Sequence, residues 1–396
     1  MKYRLGLGVV LLGLIIFHPN FEAQGDPGDF PESASFSALI KMPLAMQGLT
    51  SSADGHFYAA GRNTLAGDPC PVWRIDPENP ALVVVGYVPG APGATCVVIG
   101  LALNKLGDIY AGSPLTGKIY TFTPNDAAPP TATEFATAAA NVANIAFDRE
   151  GNLWATDGPS NQGRVWKIPP SGGTAVVQFR IPPMRNSIGV GRDMLRFPQG
   201  NAVGLGVATG LAFDEDGSLF VSDISRGAIW KAEFYRDGSL RSKVGCDSTY
   251  TADTLCLENA FVQHPILSGG GGIAMDRKGN MWVPSFDRNA MVWVGRDGTV
   301  AEVFRNPVNA STNRRNEGPL ESPAVPVLLG GLLCVSNLDA DIQDNSPNSA
   351  GEISPAGADR GKIVCMDQSA FTPGMPLPVG DDRGYHHKPY GWPRQD

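Results

Sequence analysis

The chain has 396 residues, 48 Gly and 33 Pro among them, so about one residue in five is a turn or breaker type, against roughly one in eight in an ordinary protein. No collagen period accompanies this excess, and 42% apolar content excludes wholesale disorder. A formal charge of −8 and a pI near 5.2 exclude a basic nucleic-acid binder, which needs clustered Lys and Arg to meet phosphate. Many turns in a chain with ample apolar content predict many short strands and an all-β fold.

Residues 1–23 read as an export signal. Lys2 and Arg4 make a positive start, Leu5 to Phe17 is an apolar run, and Ala23 ends a cleavage site before Gln24. As a helix that run would span about 20 Å, short of the roughly 30 Å hydrocarbon core. An uncleaved anchor is the alternative reading. The mature chain is expected to be soluble and exported, to the periplasm or the medium, and monomeric.

Export makes the six cysteines candidates for disulfides. Fifteen pairings are possible, but the cysteines fall into three neighbouring pairs. The expected bonds are Cys70–Cys96, Cys246–Cys256 and Cys334–Cys365. No CxxC spacing supports a metal or redox role.

One pattern then recurs along the chain: apolar strand, Asp-Gly-like turn, apolar or aromatic strand, variable loop, and Gly-x-Ile/Val-aromatic. Its clearest copies are Gly210–Asp223 (GLAFDEDGSLFVSD) with Gly227–Trp230, and Asn144–Asp157 (NIAFDREGNLWATD) with Gly163–Trp166. Gly272–Val283, Gly100–Tyr110 and Gly48–Tyr58 are further copies, and Leu328–Val335 with Gly361–Val364 is a weaker sixth. The turn glycines are Gly55, Gly107, Gly151, Gly217, Gly279 and Gly331. Val176–Ile181 and Val300–Phe304 supply outer strands for the third and fifth copies. Six such units predict a six-bladed β-propeller over residues 24–370, followed by a C-terminal tail, 371–396. Ser37–Met42 precedes the first copy and is expected to close the ring as the outer strand of blade six.

In a propeller, the connections from outer to next inner strand and from second to third strand share one face. The long insertions Arg185–Val207, Lys243–Gly270 and Asn337–Arg360 are expected there, and with them the site. Three residues after the aromatic position of each second strand stand Gly61, Ser113, Asp157, Asp223, Ser285 and Asn337, at the channel mouth. Oxygen ligands converging from several blades suit a hard cation such as Ca²⁺. Capping of local turns by the same carboxylates is the alternative.

These copies, above all Leu211–Asp223 and Gly272–Trp282, resemble the senescence marker protein/gluconolactonase/luciferin-regenerating enzyme family. More broadly they resemble NHL-type and virginiamycin B lyase-like propellers. The resemblance covers residues 36–370 and implies a divalent metal, often Ca²⁺, used in hydrolysis of lactones and esters. It also implies axial ligands of one Glu, two Asn and one Asp, the Asp doubling as base. Asp223 falls at the Asp position, Gln47 at the Glu position, and Thr209 and Ala143 at the Asn positions, with Asn141 and Asn144 adjacent.

The expected site therefore comprises Asp223 and Asp157 as catalytic residues, and Asp223, Asp157, Asn144, Gln47 and Asn337 as metal ligands. Arg185, Arg192 and Thr209 are the substrate-binding candidates. His264, on the insertion before blade five, is the one histidine within reach of the site, and a surface role is its expected one. Two readings remain, a metal-dependent hydrolase of a small lactone or ester and a non-catalytic propeller that binds a small ligand or a protein, with a virginiamycin B lyase-like enzyme as a further alternative.

Overall fold

The computed structural model describes residues 36–63, 65–138, 141–183, 206–286, 288–305, 319–338 and 361–371. The export signal, nearly all of the tail, Arg185 and Arg192 lie outside the described residues, as do most of the insertions at 185–207 and 337–360.

Six antiparallel sheets stand round a ring, one per predicted unit. Blade one is Ala45–Ser51, Phe57–Asn63, Cys70–Ile75 and Val83–Val88. Blade three is Ile145–Phe147, Leu153–Thr156, Arg164–Ile168 and Val176–Arg180, and blade four is Leu211–Phe213, Leu219–Asp223, Ala228–Ala232 and Ala260–Gln263. Blade five ends in the predicted outer strand, Val300–Arg305. Blade six is assembled from both ends of the chain. Ser37–Met42 pairs antiparallel with Gly361–Asp367, outside Leu332–Asn337 and Pro323–Leu329. The ring is thus closed by hydrogen bonds between segments more than 300 residues apart.

The first hairpin of each blade follows from its Gly turn. All six turn glycines have positive φ, between 80° and 105°, a region costly for residues with a Cβ. In four blades an Asx side chain fixes the same turn. Asn104, Asp148, Asp214 and Asp276 each accept backbone N–H groups two or four residues on, at 2.8–2.9 Å.

Strand alternation then builds the core. Six hydrophobic clusters fill the six junctions between neighbouring blades. In blade four, Leu219 and Val221 pack toward blade three while Phe220, between them, packs toward blade five. Each blade therefore buries both faces, and burying one large apolar side chain contributes roughly 1.5–3 kcal/mol.

All three expected disulfides are present, Cys70–Cys96, Cys246–Cys256 and Cys334–Cys365, as fits an exported chain. Among the described residues no helix is long and apolar enough to cross a membrane. Two features were not foreseen. Cys96–Val97 pairs with the end of the second strand of blade one, and Gly173–Thr174 adds a parallel strand to the edge of blade two.

One expectation is corrected. Because the outer strand of blade four is Ala260–Gln263, Lys243–Asn259 belongs to the connection from third to fourth strand. It leaves from the opposite end of the blade and folds along the edge of blade three, where Thr254 pairs with Arg180. Only residues 264–270 of that insertion lie on the face with the other long connections.

Candidate functional site

The innermost strands pack side by side round the axis through very small residues. A Cβ on Gly100 would lie 2.7 Å from Ala143 O, and one on Gly210 would lie 2.4 Å from Gly271 O. Each glycine thus admits the carbonyl that precedes the next blade's inner strand. Blade three carries Asn144 at this position, and its Nδ2 donates to Thr209 O at 3.2 Å instead. A second device crosses the same junctions. Hydroxyls near the ends of second strands donate to those carbonyls: Thr156 to Thr209 O at 2.6 Å, Ser222 to Gly271 O at 2.6 Å, and Ser336 to Gln47 O at 2.8 Å. The last of these reaches across the ring closure.

One residue beyond these hydroxyls, at the loop-face end of the second strands, the six mouth positions are all buried. Asp157 and Asp223 are fully buried, and each is held by an arginine of its own blade. Arg164 Nε donates to Asp157 Oδ2 at 2.8 Å, and Ser160 Oγ donates to the same oxygen. Arg226 Nη1 donates to Asp223 Oδ2 at 2.6 Å, and its backbone N–H donates to Oδ1 at 3.1 Å. Trp230 Nε1 also approaches Asp223 Oδ2, at 3.4 Å. Burial pushes the Asp157 carboxyl above the usual Asp range, while the bonds from Ser160 and Arg164 pull it down.

Three of the other mouth residues are tied to backbone. Asn337 Oδ1 accepts from Glu321 N at 2.8 Å and its Nδ2 donates to Val335 O at 3.2 Å. Ser285 Oγ donates to Ser268 O at 2.6 Å. At Gly61 a Cβ would lie 2.0 Å from Ala45 O, so blade one closes its mouth position by backbone contact.

His264 caps a 3-10 turn, Pro265–Leu267, by accepting the Ile266 N–H on Nδ1. Burial, and then Arg288, lower its pKa, consistent with the neutral imidazole that this bond requires. It caps a turn and reaches none of the mouth carboxylates by a hydrogen bond or ion pair.

The axial metal set implied by the resemblance does not fit these residues. Both Asp223 oxygens are occupied by donors of Arg226. Gln47 brings no charge, Ala143 no ligand atom, and Thr209 a single hydroxyl. Among the described residues there is no group of three His, Cys, Asp or Glu side chains placed to hold a metal.

Sequence reasoning found the two carboxylates and missed their partners. Arg164 and Lys362 follow the Gly that opens the third strand, as does Lys118, so a shared basic position was available as a signal. Lys362 Nζ meets Glu321 Oε2 at 3.1 Å, both side chains nearly buried, making a third acid–base pair at this face. Arg226 stands just before that Gly in blade four and lacked the signal.

No protein-family model and no curated protein sequence matches the chain. Solved structures do match. A calcium-binding protein, regucalcin, from Agrobacterium tumefaciens superposes with a TM-score of 0.53 at 13% identity, covering 84% of this chain and 93% of its own. The PQQ-bound aldose sugar dehydrogenase of Streptomyces coelicolor gives 0.52 at 14%, covering 85% and 99%. A luciferin-regenerating enzyme gives 0.51 at 11%, covering 84% and 94%. The chain is a six-bladed β-propeller. At such identities the likeness establishes the fold alone.

Proposed function

We propose that this chain is an exported binding propeller that takes a small, uncharged, oxygen-rich molecule at the loop face. One observation carries the reading: each fully buried carboxylate at the mouth is already bonded to an arginine, so the mouth is polar but charge-balanced. A polar, neutral cleft favours hydrogen-bonding ligands over bare ions or strongly charged ones. The sequence resemblance makes lactones and small esters the first class to test.

The hydrolase reading rests on the position of Asp223 at the end of its strand. A general base must offer a free oxygen to the proton it takes. Both Asp223 oxygens accept from Arg226, and the unpartnered oxygen of the other mouth carboxylate, Asp157 Oδ1, is closed to solvent. The binding reading therefore stands ahead of the catalytic one.

Isothermal titration calorimetry of the mature protein against sugar lactones, aryl esters and their hydrolysis products tests this. Saturable binding of at least one neutral member, weakened by Arg226→Ala, is expected. Binding confined to anionic products would contradict a charge-balanced mouth.

A further inference from the structure

The connection from blade four to blade five, residues 264–271, starts at His264 and ends against the mouth. His264 Nδ1 accepts the Ile266 N–H at 3.3 Å and so caps the 3-10 turn Pro265–Leu267. Leu267 is the one buried side chain of that turn. Beyond it the backbone is fastened to both neighbouring blades. Gly269 N donates to Ile224 O, beside Asp223, at 3.2 Å. On the other side, Phe286 N donates to Gly269 O at 2.9 Å, and Ser285 Oγ donates to Ser268 O at 2.6 Å.

His264 keeps an exposed side, so protons reach it directly. Its surroundings oppose a positive charge. From blade five, Arg288 faces the ring. Glu302 does not offset that charge at the histidine, because both of its oxygens are engaged. Its Oε2 accepts from Arg288 Nε and Nη2 at 3.1 and 3.0 Å, and Arg305 Nε lies 3.2 Å from its Oε1. From blade four, Arg226 and Asp223 are bonded to each other. Asp287 lies outside the described residues. A protonated Nδ1 would also turn an N–H toward the Ile266 N–H, donor against donor.

We propose that His264 is an acid-sensitive latch, whose protonation releases the turn Pro265–Leu267 and frees residues 264–271 from the mouth. The cap needs a neutral imidazole, and burial and Arg288 disfavour the charged one, so the latched state takes up a proton less readily than the open state. Opening is therefore favoured as pH falls below about 6.5, the ordinary His value, and is indifferent to pH well above it. At a pH about 1.5 units lower the gain in the open state has a ceiling of roughly thirtyfold. Release frees the Ile224 carbonyl and the Ser285 hydroxyl, and so loosens the mouth between blades four and five. The latch works through backbone bonds, so it stands whether or not the mouth takes a lactone.

Hydrogen exchange of the mature protein at about pH 7.5 and about pH 5.0, corrected for intrinsic rates, tests it. Protection across residues 264–271 should fall roughly threefold to thirtyfold in acid, while the blade-four hairpin, residues 211–221, keeps its protection. His264→Asn supplies a neutral cap that does not titrate, and should hold protection equal at the two pH values. His264→Ala has no cap and should show the low protection at both. An equal fall in the unsubstituted protein and in His264→Asn would overturn the proposal. So would full protection of His264→Ala at about pH 7.5, or a fall shared by residues 211–221, which would mark general acid unfolding.

Discussion

Blade one and blade four use the same register position in opposite ways. The second strand of blade one carries Gly61 at this position, pressed against Ala45 O, and the Cys70–Cys96 disulfide lies beside it. The second strand of blade four ends in Asp223, buried and held by Arg226. Blade three repeats the arrangement with Asp157 and Arg164. One arc of the ring is thus sealed by backbone contact and a covalent staple, the other by buried ion pairs. Chemistry at this position belongs to the second arc, because Gly61 has no side chain to offer a ligand.

The largest expected effect breaks the ion-pair arc. Arg226→Ala leaves Asp223 buried without its cation and should cost about 3–5 kcal/mol in urea unfolding. Arg226→Ala combined with Asp223→Asn should recover part of that loss. Equal losses in the single and double variants would show that the arginine acts through packing alone.

The covalent side is tested next. Replacing Cys70 and Cys96 by Ser opens a loop of 26 residues and should cost roughly 3–4 kcal/mol by the chain-entropy relation. A loss under ~1 kcal/mol would show that strand pairing of Cys96–Val97 with the second strand holds this arc unaided.

Gly61→Ala sharpens the contrast within the first arc. Its Cβ meets backbone that has no side chain to move, so a loss of about 1–3 kcal/mol is expected in the same assay. An unchanged midpoint would mean that blade one is not closed by this contact.

Ser336→Ala removes the hydrogen bond from Ser336 Oγ to Gln47 O across the ring closure and the one Oγ accepts from Val325 N. The expected loss is about 1–3 kcal/mol. Ser222→Ala, the equivalent change in blade four, should give a similar value, since that bond too is buried and short. A clear difference between the two would show that the closure carries strain the other junctions lack.

The fold was legible because its code is local and repeated. Gly217 with Asp214 writes a hairpin into any chain, and Leu219-Phe-Val221 writes two buried faces. Ring closure was legible by elimination, since Ser37–Met42 had no blade of its own. The outer strand of blade four was lost because the long excursion through Cys246 and Cys256 precedes it and hides its period. At the mouth, the register gave Asp157 and Asp223, but not what they touch. Pairing with Arg164 and Arg226 depends on how the second-to-third turn folds back, and that is set in space rather than by spacing.

The central claim is that the loop-face mouth is charge-balanced, both of its buried aspartates being paired with arginine and closed to solvent. Lactone and ester hydrolysis by the purified mature protein, with added Ca²⁺ and with a chelator, tests it most directly. Rates equal to buffer in both conditions are predicted, alongside unaltered ligand binding. Saturable hydrolysis that requires Ca²⁺ and disappears in a folded Asp223→Asn variant would contradict it.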